Sequence, residues 1–262
     1  MSDYKKRGYL LENFRLFHLR SQGGEQVEYH YHEFCKVLFL VSGSGGYFID
    51  CQRYLLRSGD IVLVGSRSIH RPELDTDAPY ERIILYISPE YLRQQSTPDC
   101  NLLSVFSGER GHVLRLPDSR RQKIFQMAAK LERDLEEEGY GREILSNAGL
   151  LRLLVQLGRK QAQEETFGPS PVMPRSPRIM EILRYIDAHL TEDLSIDILA
   201  EAFFISKFHM MRLFKQETGR SIHDYLQERR LLHARDLIRQ GISATDSCFQ
   251  SGFRSYSSFT RA

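Results

Sequence analysis

The stretch "QAQEETFGPSPVMPRSP", residues 161–177, restricts the fold of this chain more than any other feature: it holds four prolines and no apolar period. Proline has no amide donor and pushes the residue before it out of the helical region, so neither a helix nor a central strand runs through such a segment. A single hydrophobic core cannot continue across it. The chain is therefore expected to fold as a domain over 1–160, a linker over 161–175 and a second domain over 176–262. At 262 residues, each part is long enough for its own core.

The two sides differ in period. Up to about Ser88, "KVLFLVSGSGGYFID", "RYLLRSGDIVLVGS" and "YERIILYIS" are short apolar, β-branched or aromatic runs broken by Gly, Ser and Asp. Such runs predict an antiparallel sandwich or barrel. From Asp118 to Lys160 the period becomes helical. Ile124, Ala128, Leu131 and Leu135 mark one stripe, and Ile144, Ala148, Leu151 and Val155 a second after the break "EEEGYG". One stripe has to cover the sheet, so the surplus apolar surface is expected at a two-fold dimer contact, mainly on the second helix.

Beyond the linker the caps give the helices one by one. Ser176-Pro177 opens a helix whose buried stripe is Ile179, Ile182, Leu183, Ile186 and Leu190. Ser195 caps a short helix carrying Ile198, Leu199 and Ala200. Ser206 caps "KFHMMRLFK", with Met210, Leu213 and Phe214 inward and Lys207, Phe208, His209, Met211, Arg212 and Lys215 outward. Gly219 ends that helix, and Ser221 starts another that runs to Gly241. "SATDSCFQSGFRSYSSFTRA" then repeats the first outline: short helix, turn at Gly252, new helix near Ser255.

Two short-helix, turn, helix units joined by one helix outline a doubled helix-turn-helix. "LAEAFFISKFHMMRLFKQETGRSIHDYLQERRLLHARDLI" resembles the first half of the DNA-binding domain of the AraC/XylS transcriptional regulators, with Ala200, Ser206, Phe214, Lys215, Gly219, Tyr225, Arg229 and Ala234 at pattern positions. Gly252-Phe253, Phe259 and Arg261 resemble the second half. "HYHEF", "SGDIVLV" and "IHRP" are similar to the cupin sensory domain of the same family. The implied fold is a two-domain α+β protein: an N-terminal cupin-like antiparallel β-barrel with a helix pair, then an all-α double helix-turn-helix domain. The joining helix would be about 27 Å long, enough to hold two reading heads about one DNA turn, ~34 Å, apart. An isolated basic helix is more often a solvated surface than a reader, but this one sits inside the repeat.

The resemblance implies a ligand-responsive, sequence-specific regulator that binds double-stranded promoter DNA as a homodimer under an unknown small-molecule effector, with RNA polymerase a further partner. It places Phe208, Met211 and Arg212 at base-reading positions, joined from the second unit by Tyr256, Ser257 and Arg261. Arginine suits guanine O6/N7, and the apolar pair suits thymine methyls. Lys207, His209 and Lys215 are assigned to phosphates. Two departures stand out. Phe204 occupies a turn position where glycine is common. The family pattern also runs on past Ala262, which reads as truncation, and Ala244 and Ser247 replace larger apolar residues.

In the first domain His30 and His32 lie two apart on an expected strand, and His70 follows another. Cupin enzymes set three histidines around a metal in this way, and a cupin-type metalloenzyme with an accessory helical domain is the alternative reading. The usual glutamate is missing, because Glu33 alternates away, position 36 is lysine and only Glu28 shares the face. No metal, cofactor or catalytic residue is therefore expected. His30, His32 and His70, with Tyr47, Tyr54 and Arg82, are instead candidates for an effector pocket, though ordinary hydrogen bonding within the core suits each of them too. Cys35, Cys51, Cys100 and Cys248 are scattered without a CxxC pair, as reduced cytosolic thiols would be. With no apolar run near the roughly 18 residues of a membrane span, the cytoplasm is the expected location. A formal net charge of only +2 means that any attraction to nucleic acid has to be local.

Overall fold

In a computed structural model, residues 10–22, 27, 30–49, 52–74, 79–107, 112–162, 177–218 and 220–261 are described. Glu28, Cys51, Ser176, Gly219, Ala262 and most of the proline-rich segment lie outside them. The chain divides into two compact units, Met1–Pro174 and Arg175–Ala262.

The first unit contains eight described strands: β1 (Phe14–Gln22), β2 (Cys35–Ser42), β3 (Ser44–Ile49), β4 (Gln52–Arg57), β5 (Ile61–Val64), β6 (His70–Leu74), β7 (Pro79–Ile87) and β8 (Val113–Leu114). They form an antiparallel five-stranded sheet in the order β1-β7-β2-β5-β8 and a three-stranded sheet in the order β4-β3-β6. The expected class, a cupin-like antiparallel sheet domain with a helix pair, is found, but the barrel is not closed, since the described strands make two separate sheets. The cause lies in the short crossings. Gly43, at φ 108°, sends the chain from β2 straight into β3 of the other sheet, and Gly59, at φ 91°, turns it back from β4 into β5. Only glycine takes up such dihedrals without steric cost.

The two-residue period of β2, β5 and β7 divides the core into two layers. Val37, Phe39, Ile61, Leu63, Ile83 and Leu85 pack on one face against the helices. Leu38, Leu40, Val62, Val64, Ile84 and Tyr86 pack on the other against Tyr47, Ile49, Tyr54 and Leu56 of the small sheet. The helices of this unit are α1 (Pro89–Gln95), α2 (Asp118–Glu136) and α3 (Arg142–Ala162), with a 3-10 turn over Leu102–Phe106. Ile124, Ala128 and Leu131 of α2 are buried as expected. On α3 the buried set is Leu150, Leu153, Leu154 and Leu157, whereas Ile144 of the expected stripe is 75% exposed. Both stripes satisfy a helical period, and the leucine-rich one offers more apolar area to bury.

The second unit contains α4 (Pro177–Ala188), α5 (Ile196–Ala202), α6 (Lys207–Thr218), α7 (Ile222–Arg239), α8 (Ala244–Gln250) and α9 (Tyr256–Arg261). The side chains of Ser195, Ser221 and Ser243 accept the amides of Ile198, Asp224 and Asp246, capping α5, α7 and α8. Ser206 and Ser255 accept the amides of His209 and Ser258 at the starts of α6 and α9. Ile179, Ile182, Leu183, Ile186, Met210, Phe214, Tyr225 and Leu226 form the interior, where Phe214 and Tyr225 meet edge to face at 5.7 Å. No described helix is long and apolar enough to cross a membrane.

Candidate functional site

In the helical unit, α5 and α6 are joined by a turn with a defined hydrogen-bond pattern. Phe203 N donates to Leu199 O, Phe204 N to Glu201 O and Ile205 N to Ala200 O, at 3.1, 3.2 and 3.0 Å. The same three bonds recur between α8 and α9: Ser251 N to Ser247 O, Gly252 N to Phe249 O and Phe253 N to Cys248 O, at 3.0, 3.0 and 3.2 Å. The sequence repeat is thus a repeat of backbone geometry. The central residue takes positive φ in both turns, 93° at Gly252 and 53° at Phe204. A Cβ at Gly252 would lie 2.7 Å from Leu190 O, so glycine is required there twice over. Phe204 carries its side chain into solvent at 92% exposure and has no such neighbour to avoid.

On α6, Met210 and Phe214 are fully buried, and Lys207, Phe208, His209, Met211, Arg212 and Lys215 are exposed on the other side. Phe208 is 82% exposed and Met211 37%. Lys207 pairs with Asp197 of α5. On α9 Tyr256, Ser257 and Arg261 are exposed, with Arg261 Nε donating to Ser257 O at 3.0 Å. α7 joins the two motifs in 18 residues. Its Arg230 donates to Leu190 O and Glu192 O at 2.9 and 2.6 Å, beside the place where Gly252 meets the same segment.

In the sheet unit, His30 and His32 do not share a strand. His30 makes an isolated bridge to His70, with reciprocal backbone bonds of 3.1 and 2.9 Å, and His32 follows in irregular chain. The rings still converge, with centroids 4.3 Å apart for His30–His70, 4.7 Å for His32–His70 and 6.4 Å for His30–His32. The Tyr47 ring lies parallel to that of His70 at 6.1 Å. Tyr54 is directed elsewhere, toward Gln52 and His112. Arg82 donates to Ser21 Oγ at 3.0 Å and lies over the Tyr80 ring.

Lys36, noted in the sequence only as standing where a glutamate is usual, joins this cluster. It is only 7% exposed and donates to Tyr47 Oη at 2.9 Å. The signal was a lone lysine inside the apolar run "CKVLFLVS". Burial, and then the Lys36 charge, push the pKa of His32 and of His70 well below the ordinary 6.5. Burial likewise raises Tyr47 well above its ordinary value and Tyr80 to about 12. Among the described residues no group of three or more His, Cys, Asp or Glu side chains could hold a metal ion.

A sheet domain with a polar interior, joined to a doubled helix-turn-helix with an exposed second helix, defines a one-component transcription regulator. Residues 16–154 match the family profile of the AraC-like ligand binding domain, and residues 199–262 match that of a helix-turn-helix domain. The chain belongs to the AraC family of ligand-responsive, DNA-binding transcription regulators. It is 27% identical over 236 residues to the HTH-type transcriptional activator RhaS of Escherichia coli, covering 88% of this chain and 81% of that one. The structure of ToxT from Vibrio cholerae is similar over 95% of this chain and 93% of its own, at 14% identity and a TM-score of 0.36. The AraC-like transcriptional activator CuxR is similar over 84% of this chain and 72% of its own, at 16% identity and a TM-score of 0.35.

Proposed function

We propose that this chain reads two adjacent major-groove segments of a promoter, using Phe208, Met211 and Arg212 of α6 for bases at one and Tyr256, Ser257 and Arg261 of α9 at the other. His209 and Lys215 hold phosphates, as does Lys207 once Asp197 releases it. The repeated turn geometry carries this reading, because it presents two second helices in the same way from one connecting helix. The test is selection of bound sequences from a pool of random duplexes with the full chain. Two short preferred words about one helical turn apart, 10–10.5 base pairs between centres, are expected; a pool without preference, or with a single word, rejects the reading.

The sheet unit is non-catalytic and receives a small-molecule effector beside its histidine cluster, and the protein acts in the cytoplasm. Residues 161–175 link the two domains and couple them by changing domain orientation or dimer geometry, since so proline-rich a segment does not transmit a helical displacement. Dimerisation uses the outer face of α3, where Ile144 and Ala148 are exposed and Leu151 and Val155 half-buried. Leu151→Glu should convert a dimer to a monomer in light scattering at micromolar concentration; wild-type protein already monomeric there would exclude this face.

A further inference from the structure

The bonded turn is common to the two motifs of the helical unit, but the step from it to the following helix is not. In the first motif Ile205, the last residue bonded back to α5, is followed at once by the cap Ser206. In the second, Phe253 bonds back to α8 and Ser255 is the cap, so one more residue, Arg254, stands between them. Its guanidinium donates to the Asp193 carboxylate in the connection between α4 and α5. The pair lies in solvent, with side chains 73% and 66% exposed. Exposed ion pairs add little to stability. The seat of the second motif on this connection is made beside it, by Arg230 on the carbonyls of Leu190 and Glu192 and by Gly252 against Leu190 O. Arg254 is thus held by a carboxylate that the packing does not need.

The first motif has a counterpart. Lys207, the first residue of α6, pairs with Asp197 of α5, again in solvent. Each motif therefore carries a cation at the entrance of its second helix, and each cation is covered by an aspartate from the start of α5 or just before it. When a helix-turn-helix docks, the N-terminal residues of its second helix reach the base edges, and the chain entering that helix passes the phosphates on the rim of the groove. A carboxylate and a phosphate offer the guanidinium fork the same pair of oxygens, so the one can take the other's place. We infer that Arg254 is a phosphate-contacting residue of the second motif, and that Asp193 occupies its guanidinium until DNA replaces the carboxylate. This rests on the reading of α9 as the second DNA-bound helix and extends it to a contact outside that helix.

The experiment uses the full chain, the selected duplex and a random duplex, with affinity measured between about 50 and 200 mM salt. Arg254→Ala should weaken both duplexes alike, by roughly eightfold at 0.1 M salt, and lower the salt slope by about one, the weight of one released counterion. Arg254→Lys should keep most of the slope, since an ammonium also holds a phosphate. Asp193→Asn should act in the opposite direction, strengthening both duplexes roughly threefold, and the gain should disappear where Arg254 is already alanine. Thermal midpoints followed by circular dichroism should be the same for all variants. Were the pair only a fastening of the second motif, both substitutions would weaken binding and lower the midpoint. That result, an unchanged salt slope in Arg254→Ala, or an Asp193→Asn gain that survives without Arg254 would each overturn the inference. A selection that yields a single word while Arg254→Ala still lowers the slope upholds the phosphate contact and removes α9 as a base reader. Two words with an unchanged slope do the reverse.

Discussion

The two units place their polar chemistry on opposite sides of their surfaces. In the sheet unit Lys36, His32 and His70 are buried between two sheets, and burial together with the Lys36 charge keeps the two rings neutral. In the helical unit Lys215, Arg212 and His209 stand in solvent on one face of α6, over a floor made by Met210 and Phe214. A ligand for the first has to be small enough to be enclosed, and it gains from low-dielectric electrostatics. A partner for the second has to be larger than the unit's face, and it is drawn by charges that salt screens.

Acid should separate the two units most strongly. His32 and His70 are neutral when folded and return to about 6.5 when unfolded. Above that value neither state takes up protons, and stability is flat. Below it the unfolded chain binds protons that the folded chain refuses, so stability falls with pH, by up to about 1.4 kcal/mol per pH unit for each ring. Urea midpoints of the sheet unit, followed by tyrosine fluorescence, should drop as pH falls below 6.5. His70→Gln should flatten the slope, and an unchanged slope would remove the ring from the account.

On the other side of the comparison, Arg212→Ala should cost about 1–3 kcal/mol on the selected sequence and relax preference at one base pair. Lys215→Ala should weaken all sequences alike and lower the salt slope by about one. Equal losses on selected and random DNA for both variants would leave Arg212 without a base to read. The smallest effect concerns the first turn. Phe204→Gly should stabilise the helical unit by about 0.5–1 kcal/mol, because glycine tolerates φ 53° where phenylalanine does not. A thermal midpoint that falls instead would show that the exposed ring contributes to folding.

The same contrast explains what the sequence disclosed. Caps and one-sided apolar periods are local signals, so Ser195, Ser206 and Ser221, and the inward Met210 and Phe214, could be read directly. The histidine cluster depends on a bridge between segments forty positions apart, His30 and His70. Their proximity was anticipated, but as a strand pattern that the chain does not form. Lys36 was hidden because its role depends on Tyr47 across the sandwich, a contact that no local period encodes. On α3 two apolar faces competed, and only packing against α2 and the large sheet decided for Leu150, Leu153, Leu154 and Leu157.

Arg230 and Gly252 converge on the short connection at Leu190–Glu192 between α4 and α5. The second helix-turn-helix is therefore fastened to the first not only through α7 but through a loop that precedes both α6 and α9. For domain engineering, this makes α8–α9 a poor exchangeable cassette. A chimaera that imports this segment from another regulator has to import the Leu190–Glu192 loop and a matching arginine with it, or the new helix pair will lose its seat.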